Sequence, residues 1–204
     1  MPSEYFYSGF KISLGHSWID PVVLKLIDNI APSNILDLGC GNGVLAGKLA
    51  RKGYSVTGIE NSESGINEAR SMNPDIKFIQ ASLYDDPAQL GLDMYDLIVS
   101  EEVIEHLYCP DALVRFADKI LAPDGKLIIT TPYYGYLRNL ALALFNRWDH
   151  HLTPLWDHGH IKLFSKKTMC GLLCRNHYKM VKFRGAGNFH FMWKSMVVVA
   201  ERSA

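Results

Sequence analysis

The sequence predicts an α/β fold: a doubly wound, seven-stranded, mostly parallel sheet with an antiparallel last strand, helices on both faces and a small helical lid inserted late in the chain. Three observations predict it. Short, nearly continuous apolar runs alternate with amphipathic segments, the pattern of parallel strands covered on both faces. The first apolar run ends in glycines that lead straight into a helix. The last two runs are joined by a loop alone, which allows an antiparallel hairpin but no parallel crossover.

Taken in order, residues 20–30 (DPVVLKLIDNI) place Asp20 as an N-cap, Pro21 at the first helical position and apolar residues at helical spacing. Residues 34–39 (NILDLG) form the first strand, 44–52 a helix and 54–60 (YSVTGIE) the second strand. Ser62 caps a helix over 62–72, and 76–80 (IKFIQ) is the third strand. Residues 95–100 (YDLIVS) and 126–131 (KLIITT) are the fourth and fifth strands, with a helix over 111–121 between them. The rhythm then breaks. Residues 132–164 are expected to be the lid and substrate insertion, with a helix near 137–147 and an aromatic population of Tyr133, Tyr134, Tyr136, Phe145, Trp148 and Trp156. A helix over 165–175 and strands at 179–184 and 196–201 close the chain.

The chain has 204 residues, of which 48% are hydrophobic, enough for a sizeable core and one domain over 1–204, with 1–31 as an N-terminal cap region. Lys+Arg and Asp+Glu balance at 21 each, so no broad cationic field exists for tracking nucleic acid, and a small-molecule partner is expected instead. Four cysteines without a CxxC pair and no secretory-signal pattern at the N-terminus point to free thiols and a cytoplasmic location. The candidate membrane run, 137–145, is too short for a span and carries Arg138 and Asn139. Cys170 and Cys174, one turn apart beside Leu172 and Leu173, are expected to pack in the core. Arg138, Arg147 and Arg184 read either as contacts for an anionic substrate or as ordinary surface charge. Oligomeric state has no sequence signal.

The run ILDLGCGNG (35–43) carries three glycines at alternate positions between a strand and a helix. Glycines allow a sharp turn and let a ligand lie against bare amides at a helix N-terminus. The second strand ends in Glu60, where an acid can bond the hydroxyls of a ribose. A dinucleotide fingerprint needs a further glycine where Val44 stands, which disfavours a nicotinamide cofactor.

This GxGxG, with Asp37 ahead of it, resembles motif I of the class I S-adenosylmethionine-dependent methyltransferases. The resemblance extends through YDLIVSEEVIEHL, LAPDGKLIITTP and the closing WKSMVVVAE, nearly the whole chain. It implies a Rossmann-like sheet and S-adenosyl-L-methionine as cofactor. Asp37 and the loop Gly39, Cys40, Gly41 and Gly43 would hold its methionine end, and Glu60 its ribose. Asn61 and Leu83 would flank the adenine, with Ser82 where the family more often has Asp, and Ser100 and Glu101 would close the other side.

SEEVIEHLYC (100–109) places Glu102, Glu105 and His106 at i, i+3 and i+4, one face if the segment is helical. Such a set suits a divalent metal, Mg²⁺, Mn²⁺ or Zn²⁺. Acids also favour the first turn of any helix. Later, WDHGHIKLFS (156–165) supplies His158 and His160. The combination resembles the ubiquinone-biosynthesis O-methyltransferases and the small-RNA 2′-O-methyltransferases. That resemblance implies Glu102, Glu105, His106 and His160 as metal ligands, with His158 a rival for the last place. Without a metal, His106 or His160 is the candidate catalytic base, since imidazole titrates near neutrality, and His106 is a catalytic candidate either way.

The expected function is therefore methyl transfer to a hydroxyl oxygen of a small catechol- or diol-like molecule. RNA 2′-O-methylation and non-catalytic S-adenosylmethionine binding are the alternatives.

Overall fold

The computed structural model describes residues 16–152, Leu155, 159–187 and 192–203, with the backbone alone for His16, His150 and His151. Most of the expected N-terminal cap, Trp156 and His158 lie outside the described residues.

The strands are β1 (Asn34–Leu38), β2 (Ser55–Glu60), β3 (Lys77–Gln80), β4 (Tyr95–Glu101), β5 (Leu121–Pro132), β6 (Tyr178–Ala186) and β7 (Ser195–Arg202). They form one sheet in the order β3-β2-β1-β4-β5-β7-β6. Pairings from β3 through β5 are parallel, and β7 runs antiparallel to both β5 and β6. The expected closing hairpin is present, with β7 inserted between β5 and β6 so that β6 forms the edge.

Strand alternation sorts side chains to two faces. On one face, Ile35, Leu97, Val99, Ile128, Val197 and Val199 pack with α1 (His16–Ile30) and α2 (Val44–Arg51). On the other, Leu36, Leu38, Ile98, Leu127, Ile129 and Val198 pack with α4 (Asp111–Ile120) and α7 (Lys166–Arg175). A third helix, α3 (Glu63–Met72), buries Ile66 and Ala69 against Phe78 of β3, and Ser62 caps it by accepting from Gly65 N at 3.2 Å.

Two sequence expectations change. Asp20 is not an N-cap, since α1 already runs from His16 and holds Pro21 inside it. Its carboxylate is buried and paired with Lys48 of α2, which ties α1 to α2. The insertion carries two helices rather than one, α5 (Tyr136–Leu144) and α6 (Trp148–Leu152). The left-handed backbone at Asn146 (φ 49°) separates them. Helix α5 buries none of its side chains, leaving Tyr136, Leu137, Leu140 and Leu144 exposed.

Cysteines depart from expectation as well. Leu172 and Leu173 fill the core, but the faces of α7 leave Cys174 exposed and Cys170 half-buried against Met180.

One clasp ties together the two helices that follow the candidate site loops. Asp111, first residue of α4, accepts from Arg175 Nε at 2.6 Å and Nη2 at 2.5 Å and from Asn176 Nδ2 at 2.7 Å. Burial alone raises the Asp111 pKa, but the bonds from Arg175 and Asn176 outweigh it and hold the carboxyl below its usual 3.8. A depressed carboxyl contributes stability that is full above its unfolded pKa and is lost as pH falls through the folded one. Asp111→Ala is expected to lower stability at neutral pH by about 1–3 kcal/mol, measured by urea unfolding. The gap to the wild type should narrow below about pH 4. A gap unchanged down to pH 2 would contradict the clasp.

Candidate active site

Strand order reverses between β1 and β4, and the crevice at their carboxyl ends is where open α/β sheets bind ligands. The loop after β1 turns through Gly39, Gly41 and Gly43 at φ 82°, 53° and 75°, a left-handed run in which glycine carries no steric penalty. Gly39 N and Cys40 N both donate to Ile59 O at 2.8 Å, which ties the loop to β2. Glu60 then braces it, its Oε2 accepting from Gly41 N at 3.0 Å and its Oε1 from Ser62 N at 2.8 Å. The acid expected at the ribose therefore stands directly beside the glycine loop. Burial, followed by the charges of Asp37 and Glu60, pushes the Cys40 thiol well above its ordinary pKa, so it stays protonated.

Asp37 and Glu101, both buried, stand near the ends of neighbouring strands β1 and β4. Ser100 Oγ donates to Leu38 O at 2.8 Å and joins these strand ends. On the other side, Ala81 N donates to Glu60 O at 3.0 Å, and Gln80 Nε2 to Asn61 O at 3.2 Å. Those bonds bring Asn61 to the Ser82–Leu83 turn, where Ser82 N donates to Asp85 Oδ2 at 2.7 Å. Hydrogen bonds thus connect the loop after β1, Glu60 and the Ser82–Leu83 turn, the stretches the sequence expects at the cofactor. A bare-backbone cradle flanked by acids suits the ammonium, ribose and adenine of a nucleoside cofactor.

The acid-rich segment differs from its expected form. Only a single 3₁₀ turn, Ile104–His106, follows β4, and Glu102 precedes it with a left-handed backbone (φ 53°). The one-face helical argument therefore does not apply. Glu105, His106 and His160 still converge, with ligand atoms that all lie within 4.8 Å of one another. Glu105 is fully buried. Its Oε2 accepts from Thr131 Oγ1 at 3.0 Å, while Oε1 has no hydrogen-bond partner among the described residues. That bare oxygen faces His106 Nε2 and His160 Nε2, each at 3.9 Å. Burial, then the charge of Glu102, raises the Glu105 pKa well above the ordinary carboxylate value.

Backbone bonds explain how a distant histidine arrives there. Ile161 N and Lys162 N both donate to Glu105 O at 3.0 Å, and His106 Nδ1 donates to Gly159 O at 3.3 Å. The second bond uses the Nδ1 proton and leaves the Nε2 lone pair of neutral His106 toward Glu105. Glu102 is held apart from this set. Its Oε1 accepts from Thr130 Oγ1 at 3.0 Å and its Oε2 from Ser195 Oγ at 3.4 Å.

Sequence reasoning missed Val103, Thr130, Thr131 and Ser195. The available signal was the pair of hydroxyls at the end of an apolar strand, where Thr130 and Thr131 are fully buried. Among the lid arginines, Arg138 is a structural clasp, donating to Trp193 O at 2.7 Å and Lys194 O at 2.5 Å. Arg147 lines a cavity of about 590 Å³ together with Arg138, Phe145 and Lys194. Arg184 is exposed and donates to Phe183 O.

Nicotinamide-binding sheets are built differently at the far edge. An antiparallel β7 between β5 and β6, beside a glycine loop at the β1/β4 reversal, is the sheet expected from the sequence, and the family match makes this protein an S-adenosylmethionine-dependent methyltransferase. Residues 15–182 match the methyltransferase-domain family, and the chain belongs to it. A ubiquinone biosynthesis O-methyltransferase of Paracidovorax citrulli is 31% identical over 166 residues, covering 78% of this chain and 69% of that one. Its counterpart in Aeromonas salmonicida is 27% identical over 172 residues, covering 78% and 72%. Among such relatives the matched part ranges from 51% to 72% of their length. Magnesium protoporphyrin IX methyltransferase of Synechocystis, solved with bound S-adenosylhomocysteine, superposes with a TM-score of 0.68. At 22% identity, over 97% of this chain and 91% of that one, this likeness speaks for the fold. No described helix is long and apolar enough to cross a membrane.

Proposed function

We propose that this methyltransferase transfers the methyl group to a hydroxyl oxygen of a small catechol- or diol-like molecule, at a site assisted by a divalent cation. The observation that carries this reading is the convergence of Glu105, His106 and His160 on one point. A buried carboxylate oxygen lacking a hydrogen bond, faced by two imidazole nitrogens, fits the donor chemistry of Mn²⁺, Zn²⁺ or Mg²⁺. Such a cation would bind neighbouring oxygens of the acceptor and lower the pKa of the one that attacks.

The remaining roles belong to the chain. Asp37 and the glycine loop hold the methionine end of the cofactor, Glu60 holds the ribose, and the Asn61 and Leu83 rims flank the adenine. Ser100 and Glu101 close the β4 side. The carbon is already activated by the sulfonium, so alignment of oxygen, methyl and sulfur for in-line displacement contributes most, on the order of 7–11 kcal/mol. The hydroxyl proton would pass to whichever imidazole, His106 or His160, the cation leaves unligated.

The reading is tested by titrating Mn²⁺, Zn²⁺ and Mg²⁺ into metal-stripped protein preloaded with S-adenosylhomocysteine, followed by mass spectrometry of a catechol incubated with S-adenosylmethionine. A saturable isotherm and methylated catechol are expected in the wild type, and Glu105→Ala should lose both. An isotherm that survives in Glu105→Ala removes the cation site from this cluster. Methylation of an RNA 3′ end with none of catechol would replace the acceptor class.

A further inference from the structure

We infer that Thr131 is a positioning residue that aims the Glu105 carboxylate at the two imidazoles. The inference deepens the cluster reading given above and rests on it.

Leu127 and Ile129 point to the face of α4 and α7, so Thr131 points there too, while Ile128 and Thr130 point to the face of α1. In β7, Val197 and Val199 share the α1 face, and Ser195 follows them. Thr130 and Ser195 accordingly capture Glu102 on one side of the sheet end, and Thr131 captures Glu105 on the other. Adjacent threonines thus sort two acids only three residues apart.

The main chain fixes only part of Glu105. Its carbonyl is anchored by Ile161 N and Lys162 N, which does not by itself set which carboxylate oxygen faces the imidazoles. The 3.0 Å bond from Thr131 Oγ1 to Oε2 is a side-chain hydrogen bond to this carboxylate, beside one from the main chain of Glu105 itself, and Oε1 is left toward His106 and His160. Without that hydroxyl, the carboxylate loses the bond from β5 that holds Oε2 away from the imidazoles.

The test uses the full chain and the variants Thr131→Val, Thr131→Ala and Thr131→Ser. S-adenosylhomocysteine affinity serves as the check that each variant is folded, and it is expected to match the wild type in all three. Mn²⁺ titration should weaken by about 10–100-fold in Thr131→Val and Thr131→Ala, the range for lost outer partners of metal ligands. Thr131→Ser, which restores the hydroxyl, should recover wild-type affinity. The second readout needs no metal: ring ¹⁵N spectra of His106 and His160 in metal-stripped protein should change in Thr131→Val and not in Thr131→Ser. A wild type that binds Mn²⁺ alongside a Thr131→Val that binds it equally well overturns this inference alone. A wild type that binds no metal overturns the cation reading, and the ¹⁵N spectra then decide the role of Thr131. Spectra unchanged by Thr131→Val sink it in either case.

Discussion

His106→Ala is expected to lower methyl transfer to a catechol acceptor by about 10²–10⁴-fold, the range for loss of a positioned acid–base group. Affinity for S-adenosylhomocysteine should stay that of the wild type. The separation follows from geometry. His106 donates to Gly159 O and lies 3.9 Å from the Glu105 carboxylate, whereas the residues proposed for the cofactor belong to β1, β2 and the turn after β3. Two measurements suffice, initial rates at saturating cofactor and a calorimetric titration. Wild-type turnover would remove His106 from the chemistry. An equal loss of cofactor affinity and turnover would make it a structural residue. If the loss instead reflects a missing cation ligand, added Mn²⁺ at high concentration restores part of the rate by mass action.

The second large effect is expected at Gly39. An added Cβ would lie 2.5 Å from Val103 Cγ2, with φ at 82°, so Gly39→Ala combines backbone strain with a collision. Left-handed backbone costs a non-glycine residue roughly 1–2 kcal/mol, and the collision adds to it. Val103 cannot retreat freely, because Ile104 beside it is fully buried and Glu102 before it is tied to Thr130. Thermal unfolding should therefore drop, and S-adenosylhomocysteine binding should weaken by at least about 10-fold, equivalent to 1.4 kcal/mol. Gly39→Ala/Val103→Ala should recover part of both losses, because contacting residues couple in a double-mutant cycle. Purely additive effects would show that the glycine is needed for its backbone alone. Wild-type binding by Gly39→Ala would remove the loop from the cofactor site.

The two predictions fall on parts of the protein that differ in how far sequence reading reaches. The glycine loop and its acid were legible, because a strand, its turn and the following helix are written contiguously, and Glu60 closes the next strand in register. The order of helices and strands was legible for the same reason, apart from ends such as the start of α1. There, burial of Asp20 and its pairing with Lys48 override the local N-cap pattern. The acid-rich segment was legible in its composition and misleading in its geometry. Its spacing suits a helix, but β4 runs on to Glu101 and the chain then turns left-handed at Glu102, leaving room for one 3₁₀ turn before α4.

The sequence by itself determined the class of sheet, the glycine loop and the acid beside it, since each is set by periodicity and backbone preference over a few neighbouring residues. Only the tertiary structure decided which acidic and basic groups meet. Glu102 and Glu105 are parted by the alternation of β5, through Thr130 and Thr131, and His160 reaches Glu105 through main-chain bonds from Ile161 and Lys162 that no side-chain pattern records. Contacts between residues far apart in the chain depend on how strands stack and which face each side chain takes, and that is settled only when the sheet closes.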